Sequence, residues 1–208
     1  MLSVSIIATN EESNIQRCLE SIKGLASEII LVHNDITDKT LEIAGRYKVI
    51  CHEAKWQGYR NQKNIALQKC SNEWILSIDC DEEISEELMV SISSFLTSDA
   101  SKTSNGASFN RCSFFMGKWI RHGDWYPDRK VRITRVNKGA FKGDPTHDKL
   151  MVEGKIIHLN GDLLHYSYPD LNAFLLKTVS FSNCFVENFH FSSFKISTAY
   201  ILARSFWR

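Results

Sequence analysis

The sequence predicts an α/β fold: a mostly parallel sheet flanked by helices, with a helical tail at the C-terminus. Two observations lead there. Short apolar runs of strand length, at residues 2–8, 28–32 and 74–78, alternate with segments whose apolar residues recur at helical spacing. Each run also stops abruptly at polar or acidic residues, as a buried strand does at its carboxyl end.

Taken in order, the strand at residues 2–8 gives way to Thr9-Asn10-Glu11-Glu12, and Ile15, Cys18, Leu19 and Ile22 then trace a helix that Gly24 ends. Glu28 to Val32 forms the second strand. It is followed by His33-Asn34-Asp35-Ile36 and a helix that Thr37 or Asp38 can cap, carrying Leu41, Ile43 and Ala44. Val49-Ile50-Cys51 is a weaker third strand, and Trp56 to Arg60 leads into a helix through Ile65, Ala66 and Leu67. That helix returns the chain to the central strand at Trp74, which ends in four carboxylates, Asp79, Asp81, Glu82 and Glu83. Ligands of such sheets lie beyond the carboxyl ends of the strands, so the loops at 9–11, 33–35 and 79–81 are expected to converge on one crevice.

After Ser85 a helix through Ile92, Phe95 and Leu96 is expected, then a polar, turn-rich surface loop from Thr97 to Gly106. This loop separates a first half, 1–98, from a second, 107–170. In the second half Ser108 to Phe115 and Lys130 to Val136 alternate as half-exposed strands would. Residues 171–208 read as a helical segment crowded with Phe181, Phe185, Phe189, Phe191, Phe194, Tyr200, Phe206 and Trp207.

The composition narrows the function. A formal charge of +1 gives no field to draw the chain to nucleic acid. The six cysteines are scattered without C-x-x-C spacing in a chain long enough to build a core, which reads as reduced thiols in a cytoplasmic protein. The N-terminus shows no signal-peptide pattern, and no run approaches a membrane span.

The acids after the central strand carry the chemistry. Asp79 and Asp81, in extended chain, would point to the same side and repel unless something positive lies between them or one stays protonated, and a divalent cation is the simplest answer. Hard oxygen ligands favour Mg²⁺ or Mn²⁺, and either leaves positions open for diphosphate oxygens. The same acids also fit a solvated turn.

With these motifs in hand, the chain resembles the family-2 glycosyltransferases of the GT-A fold, and more narrowly the bacterial enzymes that add a sugar to the lipopolysaccharide inner core. Thr9-Asn10-Glu11-Glu12 matches the family's T/Y-N-E-E loop, and Ile75 to Glu82 its h-h-x-h-D-x-D-E. Trp125-Tyr126-Pro127-Asp128 with Arg132 matches W/G-Y-P-D-x-x-x-R. Pro145-Thr146-His147-Asp148 stands where x-V-H-E is usual, and Leu164-His165-Tyr166-Ser167-Tyr168 matches the late histidine motif. There are two departures. His33 replaces the acid expected to hold the donor's base, with Asp35 as its substitute, and Asp148 replaces a glutamate. Family members continue past an A-R-x-F-W-R segment, whereas this chain stops at Arg208, which reads as a truncated or naturally short form.

The resemblance implies an inverting, metal-dependent transfer from a nucleotide diphosphate sugar, a UDP-sugar above all, to a glycan or glycolipid acceptor. Thr9, Asn10, Glu11, His33, Asp35, Arg60, Asp79 and Arg132 are the expected donor-binding residues. Asp81, Asp79 and His165 are the expected ligands of Mg²⁺ or Mn²⁺, and Asp148 is the expected general base. Each has a plainer alternative: a core histidine for His165, a charged turn for Asp144, Asp148 and Lys149. Lys63 and Arg129 read as further diphosphate contacts or solvated surface. Trp119, Trp125 and Tyr126 read as sugar platforms or core, and Asp128 as a partner for acceptor hydroxyls. A nucleotidyltransferase would place a Gly-rich basic loop where Thr9 to Glu12 stands, and a catalytically silent sugar-nucleotide binder is the remaining alternative. Lys195, Arg204 and Arg208 among the tail's aromatics suggest peripheral contact with the inner face of the cytoplasmic membrane, or packing on the rest of the protein.

Overall fold

The computed structural model describes residues 1–143, 148–168 and 170–188. Its elements in chain order are β1 (Leu2–Ala8), α1 (Ile15–Ser21), β2 (Glu28–His33), α2 (Thr40–Gly45), β3 (Ile50–Glu53), α3 (Tyr59–Lys69), β4 (Trp74–Ser77) and β5 (Glu82–Ile84). There follow α4 (Glu86–Thr97), α5 (Asp99–Thr103), β6 (Gly106–Phe115), β7 (Lys118–Ile120), β8 (Asp128–Arg135), β9 (Gly139–Lys142), β10 (Lys149–Val152), β11 (Ile156–Tyr168) and α6 (Leu171–Asn188).

The expected α/β architecture is present, and the sheet is mixed. Nine strands run in the order β3-β2-β1-β4-β8-β6-β11-β5, with β7 beside β6 and β9 and β10 forming a separate hairpin. The stretch from β3 to β4 is parallel, as helical crossovers demand. Past β4 the pattern changes: β8 lies antiparallel to both β4 and β6, while β11 runs parallel to β6. The turn from β6 to β7 uses Met116 and Gly117, both at positive φ, as a two-residue hairpin requires. Residues 1–98 and 107–170 therefore contribute strands to one continuous sheet.

Side-chain alternation gives the sheet two buried faces. Leu31, Trp74 and Leu76 pack with Ile15, Cys18 and Leu19 of α1 and Leu88, Ile92 and Phe95 of α4. Ile30, Val32 and Ile75 turn the other way, onto Ala66 and Leu67 of α3 and Phe141 and Leu150 of the hairpin. Deleting any of these large side chains to Ala would cost about 2–5 kcal/mol.

The polar stretch expected as a loop from Thr97 to Gly106 instead contains α5. Its hydroxyls bond back to the chain, with Ser101 Oγ donating to Ser98 O at 2.7 Å and Ser104 Oγ to Ala100 O at 2.7 Å, so polar composition here sustains a helical turn. β11 crosses the α4 N-terminus at Gly161, where φ is +94° and a Cβ would stand 2.4 Å from Leu88 N. The C-terminal helix begins as expected, with Asp170 Oδ1 accepting from Ala173 N at 2.7 Å. The tail's Phe189, Phe191, Phe194, Lys195, Tyr200, Arg204, Phe206, Trp207 and Arg208, and the loop residues Asp144 to His147, lie outside the described residues.

Candidate active site

The three loops predicted to converge do so at the carboxyl ends of β1, β2 and β4. Thr9 Oγ1 donates to Asn34 Oδ1 at 3.4 Å, Asn10 Oδ1 accepts from Thr37 N at 2.9 Å, and Glu11 N donates to Thr40 Oγ1 at 2.8 Å. Burial pushes the Glu11 carboxyl above its ordinary range; Asn14 opposes this, and the nearby Asp81, Asp79 and Asp38 charges add to it. His33 ends β2 with Nδ1 buried and without a hydrogen-bond partner among the described residues. Asp35 is exposed at φ +46° and accepts from Asn34 Nδ2 at 3.3 Å. Arg60 is an exposed clasp whose Nη1 donates to Gly143 O at 2.9 Å.

The acid-rich segment after β4 departs from expectation. Asp79 to Asp81 is not extended chain: Glu82 N donates to Asp79 O at 3.0 Å, and Glu82 Oε2 accepts from Asp79 N at 2.9 Å. The fully buried Glu82 carboxylate closes the segment into a turn, so the two aspartates meet different partners.

Asp79 meets cations. Lys63 Nζ lies 3.2 Å from its Oδ1 and Arg132 Nη2 3.2 Å from its Oδ2, and Arg132 Nη2 also reaches Glu82 Oε1 at 2.6 Å. Burial works against the Asp79 carboxylate, but Lys63 and then Arg132 hold it well below the usual range. Burial likewise opposes the Arg132 charge and is outweighed by Glu82 and Asp79, which raise its pKa. Burial pushes the Glu82 carboxyl up, against Arg132 and with Asp79. Arg132, expected on the diphosphate, is thus buried on carboxylates. Asp79, expected on the metal, is neutralised by side chains.

Asp81 meets the histidine. Its Oδ2 lies 3.2 Å from His165 Nε2, while His165 Nδ1 is 2.6 Å from Ser167 Oγ and Tyr166 N donates to Asp81 O at 2.9 Å. β5 and β11 pair antiparallel with His165 opposite Glu82, which brings the histidine to the turn. No group of three His, Cys, Asp or Glu able to hold a metal occurs among the described residues. One carboxylate and one imidazole still suit a Mn²⁺ or Mg²⁺ ion whose other positions are filled by phosphate oxygens and water.

Asp148 lies just before β10. Its Oδ2 is buried, without a hydrogen-bond partner among the described residues, and 3.8 Å from Lys63 Nζ. Lys63 is 11% exposed and bridges Asp79 to Asp148. Glu82 had no assigned role in the sequence; its spacing of three from Asp79, right for a carboxylate that receives the first N–H of a turn, was the available signal.

Comparison with known proteins agrees with this architecture. Residues 3–139 match the family model described as Glycosyl transferase family 2. The chain is 28% identical over 214 residues to "Uncharacterized glycosyltransferase RT0209" of Rickettsia typhi, covering 96% of this chain and 73% of that protein. It is 30% identical over 201 residues to RP128 of Rickettsia prowazekii, also named an uncharacterized glycosyltransferase, covering 88% and 65%. It is 29% identical to "Lipopolysaccharide core biosynthesis glycosyltransferase LpsC" of Rhizobium meliloti, covering 87% and 68%. The chain thus spans about two thirds to three quarters of these relatives. Among solved structures, S. aureus TarS 1-349 superposes with a TM-score of 0.58 at 17% identity, covering 80% of this chain and 60% of that one, a likeness of fold. The family match, the order of elements and the acid-bearing turn agree: the chain belongs to glycosyl transferase family 2.

Proposed function

We propose that this chain is an inverting glycosyltransferase that moves a sugar from a UDP-sugar to a hydroxyl of a lipopolysaccharide-core glycan, with Mg²⁺ or Mn²⁺ on the donor diphosphate. The observation that carries this reading is the side-by-side arrangement of an Asp81–His165 pair at 3.2 Å and the Lys63-linked carboxylates Asp79 and Asp148, at the carboxyl ends of parallel strands. The relative named for lipopolysaccharide core biosynthesis supports the acceptor class. Solved TarS structures of the same fold carry UDP or UDP-GlcNAc, which supports the donor class.

In this reading residues 1–98 hold the donor and 107–170 the acceptor. Asp148 Oδ2 takes the proton of the acceptor hydroxyl as its oxygen attacks the anomeric carbon. The glycosidic bond forms while the bond to the β-phosphate oxygen breaks, and that electron pair leaves with the diphosphate. Asp81 and His165 would hold the cation, which when bound supplies positive charge for the departing diphosphate. Lys63 keeps a fixed positive charge between Asp79 and Asp148, and Glu82 with Arg132 fixes the turn that carries Asp81. Thr9 to Glu11, His33 and Asp35 line the donor end of the crevice.

We place the protein in the cytoplasm, peripheral to the inner membrane face. No helix among the described residues is long and apolar enough to cross a membrane. Leu171, Leu175, Leu176 and Val179 of α6 are exposed and available for surface contact.

A thermal-shift screen of UDP-sugars with and without Mn²⁺ tests the donor assignment, since binding to the native state raises Tm. A metal-dependent shift with one donor, together with an Asp148→Asn variant that keeps the shift and loses transfer, is the expected result. Transfer unchanged in Asp148→Asn would discard the base assignment, and no shift with any donor would discard the donor.

A further inference from the structure

Asp81 and His165 come from different halves of the chain, so their 3.2 Å approach depends on β11 lying firmly against the acid-bearing turn. The strand ladders alone do not secure it there. β5 is three residues long and its pairing with β11 ends at His165, and on the other side the β6–β11 register shifts between His165 and Tyr168. Tyr166 therefore stands where regular pairing lapses on both edges. Its amide donates to Asp81 O at 2.9 Å, and its side chain supplies the rest of the hold.

The Tyr166 ring is clamped by Arg17 of α1. The guanidinium carbon lies 3.5 Å from the ring centroid, within cation–π reach, and Trp119 meets the ring edge-on at 5.1 Å. Tyr166 Oη donates to Glu83 Oε2 at 2.8 Å. Arg17 Nε stands 3.9 Å from the same oxygen, buried and without a hydrogen-bond partner among the described residues, so Arg17 acts on this site by stacking and charge. Its Nη2 donates to Asn14 Oδ1 at 3.0 Å, which fixes the plane of the guanidinium. The helix behind it is tied to the turn and to β5 separately: Cys18 Sγ donates to Asp79 O at 3.6 Å and Ser21 Oγ accepts from Ile84 N at 3.1 Å. α1 is thus a splint with two anchors on the donor half and a third, Arg17, on β11.

We infer that Arg17 is a positioning residue of the proposed transfer site: it holds Tyr166, and with it β11, against the turn, and so sets the spacing of Asp81 and His165. Its consequence for a bound cation rests on the transferase reading above; its hold on Tyr166 does not.

Amide hydrogen exchange and Mn²⁺ affinity in the presence of UDP, both measured on the full chain, test this. In Arg17→Met the Tyr166 amide should exchange about tenfold faster, while that of Leu163, which pairs with both Ile84 and Arg111, keeps its rate. Mn²⁺ titrated into UDP-loaded protein and followed by electron paramagnetic resonance should bind about tenfold more weakly, and saturating Mn²⁺ should restore kcat, because the ligands are displaced and not removed. Arg17→Lys keeps the charge without the flat guanidinium and should fall between the two. Tyr166→Phe keeps the ring and the amide, loses the Glu83 bond, and should do less harm than Arg17→Met. An unchanged Tyr166 amide in Arg17→Met overturns the inference, as does equal acceleration at Leu163, the mark of general loosening of β11. Faster exchange at Tyr166 with unaltered Mn²⁺ affinity overturns the link to the Asp81–His165 pair. Absence of Mn²⁺ binding by the unaltered protein would sink the metal-dependent transferase reading instead, and the amide rates would still decide whether Arg17 holds Tyr166.

Discussion

The Lys63 ammonium stands 3.2 Å from Asp79 and 3.8 Å from Asp148, so one largely buried cation links the acid-bearing turn after β4 to the hairpin that carries the proposed base. Lys63→Met removes the charge that does most to depress the Asp79 pKa and leaves Arg132 as its remaining strong partner. The variant should lose about 1–3 kcal/mol at neutral pH, as expected when a buried charge loses one of two partners. A depressed carboxylate contributes stability above its unfolded pKa of about 4, and that contribution is lost as pH falls toward the folded value. The difference between unaltered and variant proteins should therefore be full at neutral pH and shrink on acidification, as folded Asp79 takes up its proton in the variant before it does so in the unaltered protein. Urea denaturation at pH 7 and pH 3 checks this; a gap that grows on acidification would contradict the assigned ion pair.

Arg132 is the second cation of the same network and serves a different carboxylate. Its Nη2 lies 2.6 Å from Glu82, which is fully buried, so Arg132→Met strands an anion in the core. The expected cost is about 3–5 kcal/mol, more than for Lys63→Met. In the double variant Arg132→Met with Glu82→Leu much of that loss should return, because an apolar pair leaves no buried charge. A double variant as unstable as the single one would show that the loss does not come from the stranded Glu82 charge.

These two residues show where the sequence was legible and where it was not. The strands β1, β2 and β4 and their terminal loops follow from apolar runs that stop at acids, and the crevice at 9–11, 33–35 and 79–81 is their geometric consequence. Lys63 was legible as a diphosphate contact or solvated surface, but its bridge between Asp79 and Asp148 was hidden because helical periodicity puts it on the polar face of α3. That face is covered by the β9–β10 hairpin, whose strands of four residues each are too short to give a clear strand signal. Glu82 was hidden because four acids within five residues do not reveal which one turns inward. β11 was hidden because Asn160, Gly161 and Asp162 interrupt its alternation where the chain bends around the start of α4.

The proposed metal dependence rests on Asp81 and His165. Asp81→Asn and His165→Ala should each abolish the extra thermal stabilisation that Mn²⁺ adds to a UDP-sugar, while changing the ligand-free Tm little, since both side chains are partly exposed. At a hundredfold excess over Kd that stabilisation amounts to about 2.7 kcal/mol, readily resolved by differential scanning calorimetry. EDTA should remove it from the unaltered protein and leave the variants unaffected. A Mn²⁺ response that survives in both variants would move the metal away from this pair.

The last prediction concerns how Asp148 is held. Asn64 on α3 grips the hairpin at both ends of one peptide pair: its Nδ2 donates to Phe141 O at 3.0 Å and its Oδ1 accepts from Phe141 N at 2.7 Å, one turn from the Arg60 contact to Gly143. Asn64→Ala breaks two hydrogen bonds at the root of the segment leading to Asp148 and should cost about 1–3 kcal/mol of stability. If that grip positions the base, kcat for sugar transfer should fall at least tenfold while the KM for the donor and the Mn²⁺-dependent donor shift stay near their unaltered values, because the donor loops lie on the other strands. A matched loss in kcat and donor affinity would point instead to general loosening of α3. Measuring transfer and donor binding on the same preparation separates the two, and the Arg60→Ala variant, which loses a more exposed contact to the same hairpin, should show a smaller fall in kcat in the same direction.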